Sequence, residues 1–230
     1  MCSCQKTKDD ARRALDDAKR LAEQGDYEAA LAKHVWFHDN ALKVSRSYYG
    51  VRLSFALGYW VELGEKYPQA LAKLTAIRDE KTSRLLAGEA NRELFNDVES
   101  INQHLGEMAP TVELFKRLEA VNPKFASDVY DLADEALLQA REYELAKKYL
   151  GDPKKRLAVA KRDFNEGIEF AQTSKNSDAS RRASEQIYTD EVVRIITVLR
   201  ETGDKTSAQN IQAEALKTLE SITIRNALKE

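Results

Sequence analysis

A short phrase written twice constrains the fold of this chain more than any other feature: Gln24-Gly25-Asp26-Tyr27-Glu28-Ala29-Ala30-Leu31 returns as Glu65-Lys66-Tyr67-Pro68-Gln69-Ala70-Leu71. In both copies a tyrosine follows a polar break and stands three residues before an Ala-Leu pair. A break this short between two helix-forming stretches turns the chain back on itself, so the phrase marks the corner of a helical hairpin. A recurring corner marks stacked hairpins. The expected fold class is all-α.

Composition agrees with that reading. Only nine Gly and four Pro interrupt 230 residues in which Ala, Leu, Glu, Lys, Arg and Gln, the strong helix formers, dominate. A hydrophobic content of 43% is enough for a continuous core. Lys and Arg total 36 against 38 for Asp and Glu, with the signs interspersed as on solvated helix faces, so no basic footprint for nucleic acid is present. No apolar run approaches the roughly 20 residues that span a bilayer, and no apolar signal segment follows Met1. The expected location is therefore the cytoplasm. The cysteines Cys2 and Cys4 keep a second location open, a membrane-anchored lipoprotein whose signal peptide has been removed before Cys2.

Apolar residues at three- and four-residue intervals predict a helix from about 8 to 24 and a second from Tyr27 to about Lys43, divided by Gly25-Asp26. Two registers compete in the next unit. Trp60-Val61-Glu62-Leu63-Gly64-Glu65-Lys66-Tyr67 fits the pattern W-x2-L-G-x2-Y, but that register puts Pro68 inside a helix, at a cost of about 3 kcal/mol. Shifted back, Leu57-Gly58 becomes the Leu-Gly pair, Tyr67 sits at the corner and Pro68 opens the following helix. Weaker corners follow at Gly106-Glu107-Met108, Glu142-Tyr143 and Gly203-Asp204-Lys205. They imply five hairpins whose units are mostly longer than the standard of about 34 residues. Residues 81 to 105 read as one long helix, and residues 154 to 174, 179 to 202 and 206 to 228 as three more, the middle one carrying Ile187, Val192, Val193, Ile195, Ile196 and Leu199. The expected organisation is a flexible N-terminus at 1–8 and a single helical-repeat domain at 9–230, with a hinge in the polar stretch 173–178.

On Gly25-Asp26-Tyr27-x2-Ala30-Leu31, Leu57-Gly58, Tyr67-x2-Ala70-Leu71, Tyr143-x2-Ala146 and Gly203-Asp204-x3-Ala208 the chain resembles bacterial tetratricopeptide-like helical-repeat proteins. The resemblance implies a TPR-like α-solenoid of stacked antiparallel hairpins with longer and less regular repeats. It also implies a scaffold or adaptor that binds protein or peptide segments rather than an enzyme. In such an array the first helix of each hairpin lines the concave side.

That side offers Arg52, Phe55, Tyr59 and Glu62 in the second unit, whose spacing places them on one helix face, and Arg12, Leu15, Lys19 and Glu23 in the first. A guanidinium beside two aromatic rings suits a peptide ligand through cation-π contact and forked hydrogen bonding. Two readings stay open for Phe55 and Tyr59: a groove for a partner, or packing between repeats. Trp36, Tyr48, Tyr49 and Trp60 concentrate further aromatic surface nearby, and Trp36, Tyr48 and Tyr49 join the partner-binding set. His34 and His38 lie four apart and face one side, as metal ligands or as packing histidines. A zinc site would need a third ligand, from His104 or a remote carboxylate. The alternative function is thus a small-molecule or metal-binding helical protein using His34, Trp36 and His38, and a homo-oligomer is a third. No Gly-rich phosphate loop, G-x-S-x-G elbow or H-E-x-x-H motif is present, and no cofactor is expected.

Overall fold

The computed structural model describes residues 8–229. Cys2, Cys4 and the expected flexible segment lie outside the described residues except for Lys8, which already belongs to the first helix. Every regular element among the described residues is helical. The first half of the chain forms α1 (Lys8–Glu23), α2 (Tyr27–Val44), a 3-10 turn (Arg46–Tyr48), α3 (Tyr49–Leu53), α4 (Phe55–Lys66), α5 (Pro68–Leu86), α6 (Arg92–Leu105) and α7 (Met108–Val121). Next come α8 (Pro123–Gln139), α9 (Tyr143–Leu150), α10 (Pro153–Thr173), α11 (Ser177–Glu201), α12 (Lys205–Leu216) and α13 (Ile222–Asn226). Among the described residues no helix is long and apolar enough to cross a membrane.

The Gly-Asp pairs explain the corners. Gly25 adopts φ +81° and Gly203 φ +84°, the left-handed conformation that lets the ending helix close its last carbonyls. The aspartate that follows caps the next helix: Asp26 accepts from the Ala29 amide at 3.3 Å, and Asp204 from that of Ser207 at 3.1 Å. One dipeptide therefore stops one helix and starts another. Asp152 caps α10 in the same way, with Pro153 in its first turn. Pro68 occupies that position in α5, so the shifted register, with Tyr67 at the corner, is the one the chain adopts.

Three expected helices divide. The stretch 81 to 105 is not one helix, because Gly88 turns left-handed at φ +101° and Asn91 caps a new helix by accepting from the Leu94 amide at 3.2 Å. Leu85 and Leu86 thus end α5, while Leu94, Val98 and Ile101 belong to α6. The stretch 206 to 228 breaks after Leu216 and restarts as α13 beneath a Ser221 cap. The helix expected to carry Arg52 together with Phe55 is interrupted at Ser54, whose backbone (φ −122°, ψ −96°) is not helical.

The chain divides into two compact units, one ending at Ala133 and one starting at Asp134, with the division inside α8. In the first unit α1 packs against α2, α4 against α5, and α6 against α7, while α4 also touches α1, α2 and α6. The repeated phrase closes on itself here. Tyr27 and Tyr67, equivalent in the two copies, stack with ring centroids 6.1 Å apart, and Ala30 and Ala70 are both fully buried in one core with Leu57, Trp60, Leu63 and Leu74. A second cluster, Ala11, Ala14, Phe37, Ala41 and Ala56, joins α1, α2 and α4.

The second unit is organised around α11, which packs against α9, α10, α12 and α13. Tyr188, Val192, Ile195, Ile196 and Leu199 form its inward stripe, and the Tyr188 hydroxyl donates to the Ala215 carbonyl at 3.1 Å. Ile187, expected among the apolar residues of this helix, is 68% exposed, because it lies about 100° around the axis from Tyr188. The polar stretch 173–178 lies within this unit, where residues 174–176 join α10 to α11.

Two glycines of α4 separate packing from propensity. A Cβ on Gly64 would lie 2.3 Å from Leu71 Cγ, whereas one on Gly58 would meet nothing within 4 Å. Gly64→Ala should therefore destabilise the protein by about 1–3 kcal/mol, and Gly58→Ala should stabilise it by about 0.5–1 kcal/mol. Urea unfolding of the two variants measures both; equal shifts would refute the close contact between α4 and α5.

Candidate partner-binding surface

The break at Ser54 decides where the side chains of the second unit go. Arg52, at the end of α3, points inward and is 5% exposed. Its Nη1 and Nη2 donate to the two carboxylate oxygens of Asp97 on α6, at 2.5 and 2.8 Å, a forked ion pair. Nε donates to the His38 carbonyl at 2.8 Å, and Nη2 also lies 3.0 Å from His38 Nε2. Lys81 on α5 completes the cluster, with Nζ 2.6 Å from Asp97. Burial by itself would raise the pKa of Asp97, but the hydrogen bond and charge of Arg52, together with those of Lys81, outweigh it and hold the carboxyl below its ordinary range.

The two histidines are core residues. His34 is 2% exposed and stacks on Trp60 at 5.6 Å; His38 is 4% exposed and meets the same ring edge-on at 6.1 Å. Because a guanidinium can only donate, His38 Nε2 accepts and the proton of the neutral ring sits on Nδ1. That Nδ1, like His34 Nδ1, is buried without a hydrogen-bond partner. Burial lowers the pKa of His34 to about 4, and burial followed by the Arg52 charge lowers that of His38 to about 3. Trp60 is anchored in turn, its Nε1 donating to the Ala70 carbonyl at 2.9 Å. His104 sits elsewhere, its Nδ1 2.8 Å from the Ser100 carbonyl. Among the described residues no three His, Cys, Asp or Glu side chains converge in a metal-binding arrangement.

Phe55, Tyr59 and Glu62 stay together on α4, within about 60° of arc around the helix. Phe55 is 65% exposed, Tyr59 is half-buried and Glu62 is exposed. Lys19 of α1 lies over the Tyr59 ring, Nζ 4.2 Å from its centroid, so the outer faces of α1 and α4 meet at a cation-π contact. Arg12 and Glu23 flank it, exposed on α1, with Leu15 half-buried between them.

The remaining expected residues are engaged in other contacts. The Tyr48 hydroxyl donates to the Lys8 carbonyl at 2.8 Å, and its ring meets Phe37 edge-on at 5.7 Å. The Tyr49 hydroxyl accepts from Asn96 at 2.7 Å while Arg46 covers its ring. Trp36 lines a separate shallow cavity of about 670 Å³ between α1 and α2, with Asp10, Arg13, Asp17 and Lys33. Arg52 is thus a structural partner of Asp97 rather than a neighbour of Phe55 on one helix face. Asp97 and Lys81 escaped the sequence reading because the pairing of Asp97 with Arg52 crosses 45 residues of chain and its pairing with Lys81 crosses 16. One signal was present: Asp97 stands three residues after Leu94 and four before Ile101, a charge within the apolar stripe of α6.

Two stability measurements follow from this cluster. Arg52→Ala takes the forked partner from a buried carboxylate, leaving it Lys81 alone, and should cost about 3–5 kcal/mol, whereas the apolar set Arg52→Met, Lys81→Met and Asp97→Leu should lose clearly less; urea unfolding compares them. Acid should also destabilise the fold. Unfolded histidine titrates near 6.5, so as pH falls below that value the unfolded chain takes up protons that folded His34 and His38 refuse until about pH 4 and 3. Stability is therefore complete above pH 6.5 and declines through that window, His34 alone contributing about 3 kcal/mol. His34→Phe should flatten the decline in unfolding free energy between pH 7 and 4.5, and an unchanged slope would show that His34 is protonated in the fold.

The chain matches no family model, no curated protein and no solved structure.

Proposed function

We propose that this protein is a non-enzymatic, tetratricopeptide-like scaffold that binds a peptide segment of a partner protein across the outer faces of α1 and α4. The reading is carried by Phe55, which is 65% exposed in line with Tyr59 and Glu62 and beside the Lys19 contact. An exposed ring on a well-supported helix is a preformed anchor, and its burial against a partner is worth about 1.5–3 kcal/mol. Lys19 over the Tyr59 ring and Glu62 one turn beyond Tyr59 supply charges of both signs to orient polar groups of a bound segment. Three features of the first unit support the repeat-like part of the reading: the stacked pair Tyr27 and Tyr67, the buried pair Ala30 and Ala70, and contacts that run from α1 to α4 to α6.

A phage-displayed peptide library selected on the protein tests the proposal. Selected peptides should bind saturably, and Phe55→Ala and Tyr59→Ala should each weaken them about tenfold or more while the circular dichroism spectrum and melting temperature stay near those of the parent. Peptides that bind the parent and both variants equally would place the interaction elsewhere.

A further inference from the structure

The second unit carries a cavity that the proposed peptide surface does not use. It is a groove of about 670 Å³ between the first half of α10 and α12, within the size range of small-ligand pockets. Its apolar lining comes from Pro153, Leu157 and Ala158 on α10 and from Ile211 and Ala213 on α12. Leu157 and Ile211 are buried, whereas Ala158 and Ala213 are exposed, and these small side chains leave the space between the helices open.

The charges around it do not balance. Lys154, Lys161 and Lys217 stand against Asp152 and Glu214, an excess of one positive charge. Both carboxylates are already engaged. Glu214 accepts from Lys161 across the groove at 2.6 Å and from Lys217 at 2.8 Å, and these two lysines hold its carboxyl well below the ordinary range. Asp152 caps α10 by accepting from the Lys154 and Lys155 amides. The ammonium of Lys154, two helical turns before Lys161, makes no ion pair among the described residues. Ser207 and Asn210 add a hydroxyl and an amide on the facing wall.

We infer that the groove between α10 and α12 is a binding site for a small amphipathic carboxylate, its acid group held by Lys154 and its apolar body lying along Pro153, Ala158 and Ala213. A cation would meet the excess positive charge, and a neutral chain would leave it uncompensated. A monoanion with an apolar tail matches both the lining and the charge. The site is independent of Phe55 and Tyr59, so it stands or falls separately from the peptide surface.

Titration calorimetry of the full chain with decanoate tests this, with decanol and decyltrimethylammonium as the neutral and cationic probes. One decanoate should bind per chain with a Kd below about 1 mM. Lys154→Gln should weaken it about five- to tenfold, and Ala158→Glu, which narrows the groove and adds a negative charge, should abolish it. Amide chemical-shift changes on decanoate addition should fall on α10 and α12. Absence of saturable binding, equal binding of either control, or an unchanged Kd in Lys154→Gln would overturn the assignment. So would binding of acetyl-Leu-Leu, through its free carboxylate, in place of decanoate, which would assign the groove to peptide termini.

Discussion

The packing of the first unit turns on one indole. Trp60 is 1% exposed, bonds through Nε1 to the carbonyl of Ala70, and carries His34 on its face and His38 at its edge. Those contacts draw α2, α4 and α5 onto a single ring. Close approach of α4 and α5 is possible because Gly64 presents no side chain to Leu71 and because Ala70 is small enough to bring its backbone within hydrogen-bond reach of the indole. The repeated phrase contributes to the same joint. Its alanine sits in the core with Trp60, and its tyrosine stacks on its counterpart at the neighbouring corner.

Packing histidines against this ring has an electrostatic consequence. A buried imidazole flanked by a guanidinium is held neutral, and the guanidinium needs its own counter-charge. Asp97 supplies it from α6, with Lys81 as a second cation, so the aromatic joint of α2, α4 and α5 is connected to the next helix by hydrogen-bonded charges. Such a cluster contributes little net stability compared with an apolar one, but it tolerates few alternative arrangements. A displaced α6 would leave Arg52 without a counter-charge in the core.

The sequence announced the corners and missed the interruptions between them, although the one at Gly88 and Asn91 carries the same kind of local signal as the corners. Gly25-Asp26 and Gly203-Asp204 are local devices, a left-handed residue followed by a cap, and local devices are legible in a single sequence. Pro68 was equally legible, since a proline is admitted at the start of a helix and excluded from its middle. The break at Ser54 has no such marker. It accompanies the inward turn of Arg52 toward Asp97, an interaction 45 residues away that periodicity does not encode. The exposed strip of Phe55, Tyr59 and Glu62 was visible as spacing, while the membership of Arg52 depended on a helix continuing through residue 54. Its loss from that strip is the main difference between the expected surface and the observed one.

That same break accounts for the exposure of Phe55. With Arg52 buried in the last turn of α3, α4 begins afresh, and its inward positions fall to Ala56, Leu57, Trp60 and Leu63. Phe55 is therefore carried to the outside by the phase of the helix. A single exposed apolar residue is ordinary on a protein surface. The setting of Phe55 is less ordinary, because Tyr59 lies one turn further along the same face with Lys19 drawn over its ring from α1. The buried ion pair and the exposed aromatic strip are thus two results of one interruption. The charge that turns inward at residue 52 fixes the frame, and the ring that turns outward at residue 55 is left exposed to solvent.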